Sequence, residues 1–450
     1  MAGIRTFAAF CVAVTAASTV SALTIAPAGA ASSTTRVVGS VPATYTPWLL
    51  QSAPGQQVRQ IAQCGGRMYA VGKIRLVGQG GLASDGTPVH TYHRGNAISF
   101  SATTGAVTHW NPKVRGEINS IAFSKDCKTA YLGGKFTKVH GMPATNIAAV
   151  STNWGAVRTR FRRNANNEVD TVRFAHGRLF VGGAFTWINN VKRPKLASLN
   201  RTTGKVTRYA HVRVTGAYPN TFTRVYNSQV SHDGKRLLIE GVFTAVGGQP
   251  RQQMAVLDFT RSWLKLDKWT SSEFNRACQI HFYVRAGAWS PNDSTIYAAA
   301  TGHKPVSGPG SLRTQGRRGL CDAVSAFPFW HKPVSHKWVN YTGCDSLYGV
   351  VADKYSVFIT GHERWANNGH GCDFAGPTAV SRPGVGAINR STGKARAWNP
   401  TRSLGRGGDD MILTGRGLWI ASDNWKNGEA QKCGGQGLHG GICFLPYHTS

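Results

Sequence analysis

A short phrase recurs along this chain: a hydrophobic run, a glycine-bearing turn and then Phe-Thr. The clearest copies are Tyr131-Leu-Gly-Gly-Lys-Phe-Thr137, Phe180-Val-Gly-Gly-Ala-Phe-Thr186 and Leu238-Ile-Glu-Gly-Val-Phe-Thr244. Weaker copies begin at Tyr69, Tyr297, Phe358 and Trp419. Successive copies lie roughly 50 to 65 residues apart, and a period of that length with strand-type content is typical of propeller blades.

Each repeat predicts four antiparallel strands. In the third unit these cover residues 169–174, 179–185, 195–200 and 205–209, with glycine at the hairpin turns. The innermost strands are predicted to start near Val58, Ile118, Val169, Val225, Phe282, Leu347 and Met411. The last unit lacks a fourth strand, whereas residues 46–50 resemble the fourth-strand phrases at 108–112 and 397–400. The sequence therefore predicts an all-β, seven-bladed β-propeller closed by an N-terminal strand, so that no sheet edge is exposed.

The N-terminus is typical of an export signal. Arg5 is followed by an apolar stretch over residues 7–23 and by the small residues Ala28-Gly-Ala30. We therefore expect residues 1–30 to be a signal peptide and residues 31–450 to form a single propeller domain of a secreted, extracellular protein. No later apolar run reaches the 18 residues of a membrane span, so we expect no transmembrane anchor.

The phrase Gly-Gly-x-Phe-Thr-x-Val-x-Gly-x-x-Arg-x-x-Leu-Ala-x-Leu resembles the delta-60-repeat β-propeller family of secreted actinobacterial proteins. The segment from Thr360 through Arg382-Pro-Gly-Val-Gly-Ala-Ile388 to Ala397-Trp-Asn-Pro400 is similar to the C-terminal part of that family. The resemblance covers nearly the whole mature chain. It implies a propeller fold and no assigned activity.

Cysteine usage points to disulfides. Of nine cysteines, Cys11 lies in the predicted signal peptide. The other eight are an even number, so all of them can form disulfides. In a propeller, the loop that enters an innermost strand shares a face with the loop between strands two and three, which pairs Cys278 with Cys321 and Cys344 with Cys372. Cys64 and Cys127 both fall at the opposite face of neighbouring blades, and Cys433 and Cys443 would close the last blade. We expect no metal site and no cofactor.

The formal net charge is +32, which favours anionic partners such as a cell-wall polymer or an acidic polysaccharide. Arginine occupies every second position of residues 157–162. An outer strand is therefore predicted to present Arg158, Arg160 and Arg162 on one face, followed by Arg163. A second basic cluster comprises Arg313, Arg317 and Arg318. No nucleic-acid motif accompanies either cluster. The alternative is that the charge serves solubility alone.

Candidate ligand residues lie where each blade begins. The second residue of each innermost strand is predicted at the channel mouth, namely Arg59, Asn119, Asp170, Tyr226, Tyr283 and Tyr348. Acidic residues where the blades begin are predicted opposite or beside them, namely Glu117, Glu168, Asp170, Asp345, Asp409 and Asp410. Tyrosine rings facing carboxylates are suited to a sugar or another polar ligand. The alternative is that these groups only fill the channel and bond across blades.

A further cluster comprises His362, Arg364 and Trp365, in the long second loop of blade six. Arg364 and Trp365 are suited to anion recognition and stacking, and a structural latch is the alternative. The leading interpretation is a monomeric, nonenzymatic protein that binds anionic or polysaccharide components of the cell surface or surroundings. The alternatives are a polysaccharide hydrolase or lyase that uses the rim carboxylates, and an adhesion or assembly scaffold. No nucleophile-elbow motif occurs.

Overall fold

The fold was described from a computed structural model. It describes residues 1, 36–275, 278, 283–303, 319–424, 432–435 and 437–449. The predicted signal peptide beyond residue 1 and the cluster Arg313, Arg317 and Arg318 lie outside the described residues. Every regular element within the described part is a β-strand. No helix there is long and apolar enough to cross a membrane.

The described strands form seven repeated antiparallel sheets, numbered here as blades one to seven in the order of their innermost strands. The innermost strands are Gln57–Cys64, Val114–Phe123, Val169–Ala175, Arg224–Val230, Val284–Trp289, Leu347–Ala352 and Asp410–Thr414. The second strands are Arg67–Lys73, Thr129–Val139, Arg178–Gly183, Arg236–Val242, Thr295–Ala300, Ser356–Gly361 and Gly417–Ala421. The third strands are Ala97–Ser101, Ile147–Ser151, Leu196–Asn200, Met254–Asp258, Ala323–Pro328, Val385–Asn389 and Ile442–Thr449. The predicted all-β propeller is confirmed.

The fourth strands are the least regular. They are Lys265–Leu266 in blade four, Trp338–Tyr341 in blade five and Arg36–Val38 in blade seven. In the other blades a single bridge residue takes this place, namely Val107, Val157, Val206 and Ala395. Short ladders outside this pattern join Trp48–Leu49, Leu76–Leu82 and Pro88–His93; Met142–Pro143 and Thr129–Val139; Trp187–Ile188 and Val191–Lys192; Val214–Thr215, Ala245–Val246 and Gln249–Pro250; and Trp365–Ala366 and Val380–Ser381.

The hydrophobic core is distributed between the blades. Buried side chains form clusters that each join two neighbouring sheets. One of these contains Val58 of blade one together with Trp419 and Ile442 of blade seven, so the first and last blades pack on each other. The ring is therefore closed by the same apolar packing that joins every other pair of blades.

An N-terminal strand does complete the last blade, but the segment predicted for this role was wrong. Arg36–Val38 pairs antiparallel with Ile442–Thr449, with Val38 opposite Tyr447. The predicted residues 46–50 lie further along, where Trp48–Leu49 pairs with Leu76–Leu82 and Trp48 lies over Gly78.

The wrong assignment of residues 46–50 as the closing strand arose from a repeated aromatic residue that follows the third strands. In six of the seven blade-to-blade junctions an aromatic group near the outer strand donates a hydrogen bond to a carbonyl near the outer end of the next blade. We call these groups the inter-blade clamps. They are Trp110 to Ser151, Tyr209 to Phe259, Trp269 to Pro328, Trp338 to Arg390, Trp398 to Gly39 and Tyr45 to Ala102. Tyr45 is therefore the inter-blade clamp from blade seven to blade one. The sequence around Trp48 resembles that of the tryptophan clamps, but Trp48 is not one of them.

All four predicted disulfides are confirmed. They join Cys64 with Cys127, Cys278 with Cys321, Cys344 with Cys372 and Cys433 with Cys443. The bridge from Cys64 to Cys127 joins blades one and two, and the other three lie within single blades. These bridges are compatible with an extracellular protein.

Candidate functional site at the channel mouth

A β-bulge near the start of the innermost strand aims one side chain of each blade into the central channel. The register against the second strand shifts in six blades, which leaves Arg59, Asn119, Asp170, Tyr226, Arg285 and Tyr348 unpaired. Asp409, just before Asp410–Thr414, holds the equivalent place in blade seven. These residues, here called the bulge ring, all line a cavity of about 410 Å³. Bulges commonly re-aim side chains in this way next to binding sites.

The bulge ring corrects one assignment made from the sequence. Tyr283 was predicted as the second residue of its innermost strand, but Arg285 is the bulged residue of blade five. Tyr283 lies one tier outward and still lines the cavity, as do Tyr226, Tyr348, Glu117, Asp170 and His362. The structure thus brings six of the nine predicted ligand residues together at this mouth.

Ion pairs on one side of the mouth join blades one, two and seven. The Arg59 guanidinium lies 2.5 Å from a Glu117 carboxylate oxygen and 3.2 Å from one of Asp409. The Gln57 side-chain amide also donates to Asp409. These carboxylates are therefore engaged by donors from the protein itself, which holds them in place around the opening.

A second network joins blades two, three and four. Arg224 bonds both Asp170 and Glu168, and its guanidinium lies 2.7 Å from Glu168. Asn119 donates to Glu168 over 2.8 Å. Burial opposes ionisation of Glu168, but Arg224 and Asn119 lower its pKa. Burial raises the pKa of Asp170 to about 7, although Arg224 opposes that shift.

Aromatic rings form the third side. Tyr226 and Tyr283 stack with their ring centroids 4.5 Å apart. The guanidinium carbons of Arg224 and Arg285 lie 4.8 Å and 5.5 Å from the Tyr226 ring centroid. In the next blade, Tyr348 meets His362 edge to face, and burial lowers the pKa of His362. Flat apolar faces and cations thus share one opening.

The channel continues below the bulge ring. Arg173 donates to Ser120 and to Asn227, the latter over 3.0 Å. Asp410 accepts a hydrogen bond from the Ile61 amide, and burial raises its pKa to about 6. Both Arg173 and Asp410 also line a cavity at the opposite end of the channel. The channel therefore has two ends that share polar groups at mid-depth.

Three predicted ligand residues form a separate cluster. Arg364 lies 2.7 Å from Asp345 and 2.9 Å from Asp373, and its guanidinium carbon lies 4.3 Å from the Trp365 ring centroid. Asp345, Arg364 and Trp365 do not line the mouth cavity. These contacts fit the latch alternative, because Arg364 of the second loop is already bonded to Asp345 of the loop that enters the blade.

The predicted basic strand face was wrong. Only Val157 pairs with the third strand of blade two, through Val150, and a turn follows at residues 159–160. Phe161 is buried and Arg158, Arg160 and Arg162 are exposed, as the alternation predicts, but no strand runs through them. Arg158 and Arg160 line a surface groove of about 660 Å³ together with Lys125 and Arg201, whereas Arg162 and Arg163 lie outside that groove.

One group of side chains has metal-ligand spacing. His303, Cys344 and Cys372 place their ligand atoms within 4.8 Å of one another. Because both sulfurs belong to a disulfide, they do not offer thiolates to a cation.

Sequence reasoning placed Arg59 and Asp409 at the mouth without assigning them to the ligand, and it missed Arg173 and Arg285. Arg285 was missed because the innermost strand of blade five was predicted to start near Phe282, whereas it starts at Val284.

Comparison with known proteins gives similarity in fold alone. No protein-family model and no curated protein matches the chain. Among solved structures, the chain is similar to the WD40 β-propeller domain of Doa1 at 10% identity, with 92% of this chain and 97% of that one covered and a TM-score of 0.43. It is similar to U3-55K at 8% identity over 90% and 100% of the two chains, with a TM-score of 0.49. It is also similar to BamB from Moraxella catarrhalis at 13% identity over 85% and 97%, with a TM-score of 0.42.

Proposed function

We propose that this protein is a secreted, nonenzymatic β-propeller that binds an acidic saccharide of the cell surface or its surroundings at the channel mouth. The observation that carries the proposal is the stack of Tyr226 on Tyr283 with Arg224 and Arg285 beside it, over an open cavity. A sugar ring packs on an aromatic face, and a carboxylate or sulfate group of that sugar pairs with a guanidinium.

The size and polarity of the cavity support this ligand class. About 410 Å³ lies within the usual range of small-ligand pockets, which is roughly 300 to 1,000 Å³. The lining is rich in guanidinium, carboxylate, amide and phenol groups, which satisfy hydroxyl groups from several directions. A hydrophobic metabolite would leave these groups without partners.

Binding is favoured over hydrolysis by the state of the carboxylates. Glu117 and Asp409 are bonded to Arg59, and Glu168 and Asp170 to Arg224. A glycosidase needs one carboxyl that donates a proton and a second that attacks or activates water, both free to reach the sugar. Paired carboxylates of this kind position arginines and accept ligand hydroxyls.

Export and family membership form part of the same proposal. The N-terminal signal pattern and the four disulfides favour an oxidising compartment. The Gly-Gly-x-Phe-Thr phrases support membership of the delta-60-repeat β-propellers.

The proposal is tested by calorimetric titration with oligogalacturonate and with a neutral maltooligosaccharide of equal length. The acidic sugar should bind more tightly. Tyr283→Ala should weaken its binding by about 1 to 3 kcal/mol, roughly 5- to 150-fold, because the stacking face is lost. Arg285→Gln should remove the preference for the acidic sugar and leave the weaker neutral binding.

Tyr355→Ala is the matched control, since this tyrosine is exposed on the opposite face of the ring. Equal affinity of wild type and Tyr283→Ala for every sugar tried would contradict the proposal. Release of reducing sugar during the titration would favour the hydrolase alternative instead.

A further inference from the structure

The ring face opposite the channel mouth carries exposed aromatic side chains on four blades. Antiparallel strands alternate in direction, so the turn between strands one and two and the turn between strands three and four both lie at this face. Trp154, Trp263 and Trp330 lie in the later turns of blades two, four and five, and Tyr355 in the first turn of blade six. Their exposed fractions are 60%, 53%, 59% and 38%. Repeated exposure of large aromatics on one face marks an interaction surface.

Three of these rings carry a lysine. The lysine nitrogen lies 4.9 Å from the ring centroid for Lys265 on Trp263, 5.2 Å for Lys332 on Trp330 and 5.3 Å for Lys354 on Tyr355. The lysine stem covers one ring face while its charge stays at the surface. Each pair thus presents an amphipathic ring and a positive charge at this face, in the later turn of blades four and five and in the first turn of blade six.

The acidic residues of these turns already accept hydrogen bonds from other groups of the protein. Asp126, Asp233 and Asp353 accept hydrogen bonds from residues of their own turn. Asp293 accepts from the backbone and ring of His232 in the neighbouring blade. Exposed basic residues at this face include Arg67, Lys125, Lys128, Arg201, Lys205, Lys235, Arg261, Lys265, Lys332, Lys354, Lys394 and Arg416. Lys235 lies 3.6 Å from Asp233, and Arg261 lies 3.8 Å from Asp258. The outward charge of the face is therefore strongly positive.

We propose that this face docks the protein on the surface of an anionic lipid bilayer. The aromatic groups are spread over blades two, four, five and six, so an extended flat surface contacts several of them at once, whereas a short oligosaccharide reaches one. Tryptophan and tyrosine prefer the headgroup region of a bilayer, and exposed lysines are attracted by anionic lipid. Docking through this face leaves the channel mouth directed away from the lipid. The proposal stands on different residues from the saccharide site and does not depend on it.

The test is co-sedimentation of the mature chain with vesicles. Vesicles of equal parts phosphatidylglycerol and phosphatidylcholine should bind at least about 10-fold more protein than pure phosphatidylcholine, because the electrostatic attraction needs anionic headgroups. Binding should weaken as salt is raised, since salt screens exposed charges.

Paired substitutions assign the binding to this face. Trp263→Ala with Trp330→Ala should lower the partition coefficient by about 10-fold, through loss of inserted apolar area. Lys265→Gln with Lys332→Gln should lower binding to anionic vesicles only. Trp187→Ala is the matched control, because Trp187 is 47% exposed on the mouth face; its binding should equal that of wild type. All replaced groups are at the surface, so unchanged circular dichroism melts would show that the variants fold.

Two outcomes would overturn the proposal. One is equal binding to anionic and neutral vesicles at low salt. The other is that the paired tryptophan substitutions leave vesicle binding unchanged and soluble heparin competes fully with the vesicles. That result would mean that the positive charge of this face binds soluble polyanions.

Discussion

Two buried carboxyl groups break the general rule that buried charges are paired. Glu240 takes the position that glycine holds in the neighbouring Gly133-Gly134 and Gly182-Gly183 phrases, and its side chain extends to the backbone of Gly287. Glu363, beside the mouth residue His362, is also fully buried. Among the described residues, no side-chain donor is bonded to either carboxylate. Burial raises the pKa of each group to about 8.

These groups make stability depend on pH in an unusual direction. The folded-state pKa lies above the unfolded value of about 4.5, so the folded protein keeps protons that the unfolded chain releases. Their contribution to stability is therefore complete below about pH 4.5 and falls as the pH rises to about 8. Denaturant melts of wild type should show this decline, by at most about 1.4 kcal/mol per pH unit for each group. The double variant Glu240→Gln and Glu363→Gln should make the decline shallower, and Asp170, Asp322 and Asp410, whose pKa values burial also raises, should retain the rest of it.

Glu117→Gln serves as the comparison, because its carboxylate is bonded to Arg59 at the cavity. It should keep the wild-type decline between pH 4.5 and 8. If the double variant declined as steeply as wild type, the two carboxyls would not be the source.

At the scale of strands, the positions of strands could be predicted where a short stretch of sequence carries the whole pattern. Starts of the innermost strands at Val169 and Leu347 coincide with the predicted ones, because alternating burial and turn glycines are readable in a short window. The outer strands were not predictable to the same degree. The closing strand was misassigned because Trp48 mimics a clamp whose place Tyr45 takes, and only the contact with Ala102 distinguishes them. The mouth ion pairs were equally hidden, since Arg59 and Asp409 lie 350 residues apart.

Removal of the closing strand should open blade seven. A chain that begins at residue 40 loses the pairing of Arg36–Val38 with Ile442–Thr449 and the buried Val38 side chain. We expect a loss of at least ~3 kcal/mol of unfolding free energy, from lost apolar burial and lost hydrogen bonds. The exposed strand edge should also promote association. Thermal melts and size-exclusion chromatography measure both effects.

A chain that begins at residue 36 is the control and should match the mature protein. Equal melting temperatures for chains that begin at residues 36 and 40 would show that Arg36–Val38 does not contribute to closure.

At the scale of the whole molecule, covalent and noncovalent closure act at different junctions. Blades seven and one are joined by apolar packing and by the Tyr45 clamp. Blades one and two are joined in addition by the disulfide between Cys64 and Cys127, which closes a loop of 63 residues. The bridge restricts the unfolded chain across one complete blade.

Loss of this bridge should lower the unfolding free energy by about 4 kcal/mol, the chain-entropy value for a loop of that length. Cys64→Ala and the double variant with Cys127→Ala should be destabilised equally, because the bridge carries the effect and neither sulfur alone does. Urea unfolding measures the change. A loss below about 1 kcal/mol would mean that the native ring already holds these two blades without help from the bridge.

The bulge ring separates two kinds of evolutionary constraint. The residue on either side of the bulge in each innermost strand belongs to the backbone pairing of a blade. The bulged residue has no partner in that ladder, and Arg59 and Asp170 bond polar side chains of neighbouring blades at the channel. A lineage can therefore exchange arginine, aspartate or tyrosine at these positions without redesigning the packing between blades. Related chains should diverge fastest in ligand preference at these few sites, and a laboratory library confined to them would explore new specificities on an unchanged ring.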